Sequence, residues 1–325
     1  MEHKINYCGV DISAEVLDVF FKNQAGDFQH LQVSNSKTGF RKLVKQAGSS
    51  THFVMEATGV YHLNFIFFLN ELKISFSVVN ALQIKRYIQM HLERNKSDKK
   101  DAKRIYEYGV ERTPETYRMP DTAYFECRSL NNATHDLTKE ITKFTNQIHS
   151  LKQVPFDAKT IEKSFARIIK KLKEEKANLE KQLQEKLQNW EGENLKLVRS
   201  VKGIGAKASA ELIIYTQGFK DMESYKQLIS YAGLSPTEYH SGSSVRGRVR
   251  ICKQGGKQLR NILYMCALNA MKTNAHCKAL YDRMVEKGKN KKVALIAVCN
   301  KLLKLVFGVV KNNTLYQDNY SIKTP

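Results

Sequence analysis

The 325-residue sequence contains no CxxC pair and no alternating cysteine and histidine spacing. Its six cysteines, Cys8, Cys127, Cys252, Cys266, Cys277 and Cys299, are scattered, which argues against a zinc site and against a secreted disulfide framework. They read as reduced, mostly buried, small hydrophobes. The first residues, MEHKINYCGVD, show no signal pattern, and no apolar run approaches the roughly 18–20 residues that span a bilayer. A cytoplasmic chain without a membrane partner is expected. Internal repeats and low-complexity segments are also missing. Acid is scarce relative to base: 32 Asp and Glu stand against 53 Lys and Arg, for a formal net charge of +21. Such an excess is the electrostatic footprint of a polyanion partner, and nucleic acid is the first candidate.

The length suits about two domains, each with its own core. Residues 4–10 read as a strand running into Asp11, residues 12–23 alternate as the second strand of a hairpin, and residues 28–35 continue the pattern after a turn at 25–27. Phe40, Leu43 and Val44 lie at helical spacing behind Thr38, a candidate cap, so 38–47 is a short helix. A strand over 52–55 ends at Glu56; an apolar helix at 61–72, a buried strand at 74–80 and a helix at 81–93 follow. This order predicts a mixed α/β sheet. Asp98 and Asp101 stand at the start of the next, basic helix, where a spacing of three puts both on one face, Cβ atoms roughly 5–6 Å apart.

From about Asp121 to Trp190 the chain becomes long, charged helix. Ile141, Phe144, Ile148 and Leu151 mark one apolar stripe, Pro155 interrupts, and Ile161, Phe165, Ile168, Leu172, Leu179, Leu183 and Leu187 mark another. The spacing fits an antiparallel helical hairpin or an intermolecular coiled coil, with dimerisation as its function. Residues 195–215 hold a helix, a tight turn at Gly203 and Gly205, and a second helix. This is the pattern of a helix-hairpin-helix, in which Lys202, Gly203, Gly205 and Lys207 would meet a DNA phosphate; a plain αα-corner is the bland alternative. Helices are expected at 224–232, 257–275 and 291–310, and the polar tail from Asn312 is expected to fray.

Residues 240–260, HSGSSVRGRVRICKQGGKQLR, carry Arg246, Arg248, Arg250, Lys253, Lys257 and Arg260 with no acid among them. Gly242, Gly247, Gly255 and Gly256 would let this backbone approach a ligand closely. Ser241 stands just upstream of the basic cluster, and a serine hydroxyl needs a base, a metal or local positive charge to become a nucleophile. A solvated loop that grips phosphate, with Ser241 as one more hydrogen bonder, is the simpler reading. Asp11, Glu56, Asp98 and Asp101 are dispersed in sequence, yet strand ends and a helix start can converge in an α/β sheet. Four carboxylates there suit a hard cation such as Mg²⁺, and a metal pair about 3.5–4 Å apart would polarise a phosphodiester.

GVDIS at 9–13, MEATG at 55–59 and KSDKKDA at 96–102 resemble, in order and separation, the four-acid signature of the DEDD transposases of bacterial insertion sequences. KGIGAKAS, YAGLSP and SGSSVRGRVRICKQGGKQLRNILYMCAL resemble the second domain of the same proteins. The resemblance covers nearly the whole chain. It implies an α/β, RuvC-like (ribonuclease H-like) domain over 1–120, long helices or a coiled coil for dimerisation over 121–192, and a mainly α-helical transposase domain over 193–325. Asp11, Glu56, Asp98 and Asp101 would take the metal-binding positions, with Mg²⁺ in two sites and Mn²⁺ as a substitute. Ser241 would take the nucleophile position, with Ser243 and Ser244 close by. The family includes recombinases guided by a bridge RNA, so donor DNA, target DNA and a non-coding RNA are the implied partners of a homodimer assembling to a tetramer. Many relatives carry a lysine soon after the serine that follows the first acid; Ala14 and Glu15 stand there instead. A junction-resolving nuclease that activates water, with Ser241 only binding phosphate, and a non-catalytic nucleic-acid-binding protein are the competing functions.

Overall fold

The computed structural model describes residues 5–23, 25–57, 59–91, 97–237, 240–241, 245–246 and 250–318. Two compact units, Met1–Met119 and Pro120–Pro325, divide the chain.

Alternation builds the first unit. Strands β1 (Tyr7–Ile12), β2 (Val16–Lys22) and β3 (Phe28–Ser34) are followed by α1 (Lys37–Ala47), β4 (His52–Glu56), α2 (Leu63–Glu71), β5 (Phe76–Val79), α3 (Ala81–Met90) and α4 (Asp98–Arg112). The sheet order is β3-β2-β1-β4-β5. Strand β2 runs antiparallel to β1 and β3, whereas β1, β4 and β5 are parallel. This mixed sheet is compatible with a ribonuclease H-like domain. Its period of two sends Val10, Val19 and Met55 to one face, where Phe53 meets Phe65 of α2 with ring centres 5.6 Å apart. Tyr7, Phe20, Val54 and Val79 fill the other face against Ile84 of α3 and Ala102, Ile105 and Tyr106 of α4. The cap of α1 is Ser36, whose side chain accepts from the Gly39 amide, so the sequence reading that put the cap at Thr38 is corrected by two residues.

Two glycines fix how α4 lies. A Cβ on Gly9 would stand 2.2 Å from the Tyr106 amide nitrogen and 2.4 Å from the Ala102 carbonyl oxygen. A Cβ on Gly109 would stand 2.9 Å from Val54 Cγ2 and 3.1 Å from the Tyr7 ring. Tyr7 with Gly109, then Gly9 with Ala102 and Tyr106, means that α4 runs antiparallel to β1. Its first turn therefore reaches the strand's C-terminal end.

The second unit is helical: α5 (Thr122–Leu151), α6 (Lys159–Ser200), α7 (Ala206–Tyr215), α8 (Tyr225–Tyr231), two-residue strands β6 (Pro236–Thr237), β7 (His240–Ser241), β8 (Val245–Arg246) and β9 (Arg250–Ile251), then α9 (Lys257–Thr273), α10 (Ala275–Glu286) and α11 (Lys291–Lys311). Helices α5 and α6 form an antiparallel hairpin, marked by the Glu126–Lys186 ion pair, Phe144 against Phe165 at 5.2 Å and Tyr124 against Trp190 at 6.0 Å. The apolar stripes thus find their partner within the chain, although Phe156, Ile161 and Ile168 stay exposed toward the hairpin's far end. Glu191 leaves helical geometry (φ −138°, ψ 41°), and Gly192 follows it, which kinks α6.

Helix α7 is central: Ala208 to Ile214 are all buried. Three sequence readings change in this unit. The helix expected at 257–275 is α9, which stops two residues sooner because buried Asn274 ends it, caps α10 by accepting from the Cys277 amide at 3.2 Å, and donates to the Lys202 carbonyl at 3.3 Å. Helix α11 is long and apolar enough to cross a membrane, contrary to the expectation that no such run exists; Ala294, Leu295, Val298, Leu302, Leu303 and Val306 bury it in the core. Nor does the tail fray from Asn312: the Tyr316 amide donates to Ser200 Oγ at 2.9 Å, and Asp318 pairs with Lys202.

Candidate active site

Asp11 is the next-to-last residue of β1, on the α4 face two residues past Gly9, and the antiparallel course of α4 brings Asp98 and Asp101 to it. Carboxylate oxygens of Asp11, Asp98 and Asp101 lie within 4.8 Å of one another. Asp11 is half-buried, Asp98 exposed and Asp101 buried. Ser97 caps α4 by accepting from the Lys100 amide at 3.4 Å, and the helix N-terminus offsets part of the repulsion between the two acids of its first turn. Glu56 is not in this close group. It stands one strand over, at the next step of the parallel register that pairs Val10 with Met55, so it ends β4 beside Asp11. Three carboxylates at such separations match the all-oxygen donor set of a divalent cation, and these residues fit one.

A further acid shares this face. Asp18 of β2 is the cross-strand partner of Asp11, so their side chains project to the same side, Cβ atoms about 4.5–5.5 Å apart. Asp18 is 5% exposed; His30 Nε2 meets one carboxylate oxygen at 3.0 Å and Gln32 Nε2 donates to the other at 3.1 Å. Sequence reasoning passed over Asp18. The available signal was a lone acid in the otherwise apolar run VLDVFF, where both faces of a central strand are covered.

In the second unit, Gly203 adopts φ +103° and its missing Cβ would fall 2.6 Å from Ala270 Cβ, so the turn is seated on α9. Gly205 faces open space and precedes α7, whose N-terminus has no side-chain cap. Lys202 is held by Asp318, while Lys207 lines an open groove beside the turn. Ser241 pairs through its backbone with Val245, and Arg246 with His240, in the β7–β8 hairpin. Arg250 on β9, Lys253 and Lys257 are exposed. Arg260 turns inward: Nη1 donates to the carbonyls of Gly255 at 2.7 Å and Ala232 at 3.2 Å. Gly255 and Gly256 serve packing rather than ligand approach, correcting that expectation; a Cβ would fall 2.2 Å from the Tyr231 carbonyl oxygen and 2.5 Å from the Tyr215 ring. Arg248, Ser243, Ser244, Gly242 and Gly247 lie outside the described residues.

No disulfide is formed among the six cysteines. Burial pushes the Cys299 thiol up to about 12 and the Cys127 and Cys277 thiols up to about 11. Such thiols stay protonated at neutral pH and are poor nucleophiles.

Residues 8–154 match a family described as Transposase, and residues 195–282 match the Transposase IS116/IS110/IS902 family. The chain belongs to the IS110 family of DEDD transposases. This transposase is 26% identical over 316 residues to the pilin gene-inverting protein of Moraxella lacunata, covering 94% of the chain and 96% of that relative. A pilin gene-inverting protein of Moraxella bovis matches to the same extent. An insertion element IS110 protein of 43.6 kDa from Streptomyces coelicolor is 26% identical over 121 residues, 37% of the chain and 30% of that protein. The chain is therefore a transposase or recombinase acting on DNA.

Proposed function

We propose that this transposase cuts and rejoins donor and target DNA through a phosphoserine link to Ser241, at a phosphate held by Asp11, Glu56, Asp98 and Asp101 through Mg²⁺. The observation that carries the reading is the convergence of Asp11, Asp98 and Asp101 from distant parts of the sequence to within 4.8 Å. A bound cation of that class polarises a phosphodiester and stabilises charge on its oxygens. Ser241 Oγ bonds to phosphorus, the bond from phosphorus to one DNA oxygen breaks, and the serine proton balances the released hydroxyl. Rejoining reverses the step with the hydroxyl of the exchanged strand, so one P–O bond is made for each one broken and no nucleotide hydrolysis is needed. The basic residues near Ser241, led by Arg250, Lys253 and Lys257, neutralise phosphate charge. Conservative exchange of this type suits a chain aligned end to end with proteins named for gene inversion.

In this reading a bridge RNA pairs with both DNA partners, and the turn at Gly203 and Gly205 with Lys207 grips backbone phosphate. Exposed Phe156, Ile161 and Ile168 offer a second chain an apolar contact for a homodimer that assembles to a tetramer. The test is a denaturing gel of labelled donor and target DNA incubated with protein, flanking RNA and Mg²⁺. A DNA–protein adduct that vanishes in Ser241→Ala supports the phosphoserine link. Cleavage without an adduct, persisting in Ser241→Ala, would replace it with hydrolysis.

A further inference from the structure

Helix α9 turns an uncharged face outward. Gln258, Asn261, Met265 and Asn269 recur at spacings of three, four and four, all are exposed, and Met265 is 63% exposed. In a chain of net charge +21, a surface helix stripe of three amides and a bare methionine is out of keeping with its surroundings. All four border the same hollow. They line a groove of about 580 Å³ whose walls are the turn at Gly203 and Gly205, the N-terminus of α7 with Lys207, and His135 of α5. His135 is held in place from behind: its Nε2 lies 3.0 Å from Oε2 of Glu211, a 3%-exposed carboxylate that also accepts from Asn131 Nδ2 at 2.8 Å.

From this juxtaposition, and resting on the reading of the chain as a DNA recombinase, we propose that the groove holds an unstacked nucleotide segment, bases toward α9 and phosphates toward α7. Amide side chains pair with base edges, and the thioether of Met265 packs on a base face without demanding one shape. Lys207 and the uncapped amides of α7 supply the complementary positive edge. A groove of about 580 Å³ is the size of a small-ligand site, with room for a nucleotide or two and not for the paired strands of a duplex, which favours an unpaired segment. An apolar protein segment would leave the three amides and Lys207 unmatched, so single-stranded nucleic acid is the favoured occupant.

The test uses full-length protein and fluorescence anisotropy with short labelled ribo- and deoxyribo-oligonucleotides, single-stranded and duplex. Simultaneous Asn261→Ala, Met265→Ala and Asn269→Ala substitutions, all at exposed positions, should weaken single-strand binding about tenfold or more, the scale of one lost amide–base pair, while duplex binding holds. The ribo and deoxyribo arms tell which strand occupies the groove. As a second readout on unmutated protein, a 5-bromouracil-bearing oligonucleotide should photo-crosslink within residues 258–269. Equal loss on duplex and single strand, or crosslinks that avoid α9, would overturn the groove while leaving the recombinase reading standing. Unchanged single-strand binding with an altered mass by light scattering would make the groove a protein interface instead. No binding of any nucleic acid by unmutated protein would overturn both.

Discussion

One methyl group at position 9 tests how the acids are held. Gly9→Ala places a carbon 2.2 Å from a backbone nitrogen, which no rotamer change relieves. The expected cost is toward the upper end of the about 1–3 kcal/mol seen for overpacking, read as a lower denaturant midpoint. Displacement of α4 should also weaken Mn²⁺ binding measured by electron paramagnetic resonance. Asp101→Asn, by contrast, keeps shape and removes charge; DNA cleavage should be lost while nucleic-acid binding by filter retention stays near the unmutated level. Loss of binding in Asp101→Asn would assign that acid to folding. Arg260 separates from its basic neighbours in the same way. Its inward guanidinium predicts that Arg260→Ala lowers the melting temperature, at about 1.5–3 kcal/mol for hydrogen bonds to a charged group. Lys207→Ala and Lys257→Ala should instead each reduce the slope of log affinity against log salt by about one.

At the scale of elements, buried Glu211 ties α7 to α5. Burial alone would raise its carboxyl pKa, but hydrogen bonds from His135 and Asn131, with the charges of His135 and Lys207, hold it below the ordinary value of 4.5. A depressed folded-state pKa contributes stability above 4.5 that is lost as pH falls through the folded-state value, because the unfolded chain takes up the proton first. Melting temperature should therefore fall on the acid side of pH 4.5, and Glu211→Gln should flatten that limb. The strands of the first unit were legible because β2 and β3 alternate while β1, β4 and β5 are short apolar runs; Asp11 and Glu56 stand out at the ends of such runs, and Asp98 and Asp101 as acids in a basic helix start. Asn274 was not, since nothing local distinguishes a residue that stops one helix and caps the next from a polar residue in a longer helix. The strand pairs at β6–β9 and β7–β8 are two residues long, too short to alternate. Asp18 escaped because its role depends on register across strands rather than on its neighbours in sequence.

For the whole molecule, the two units carry separate cores, so each should unfold cooperatively when expressed alone as residues 1–119 or 120–325. The first fragment should bind Mn²⁺ and the second should bind nucleic acid, and cleavage should need both. Cooperative unfolding of only one fragment by calorimetry would show that the other depends on its neighbour. The packing of α4 on β1 reaches beyond stability. Where helix and strand touch backbone to backbone, the distance between Asp11 and Asp101 does not depend on the size of any intervening side chain. A search for distant relatives would then gain by asking for the smallest side chains as well as acids: glycine two places before the strand aspartate, and alanine one place and glycine eight places after the second helix aspartate. Chains that keep the acids but fill those positions would have to hold them by some other geometry.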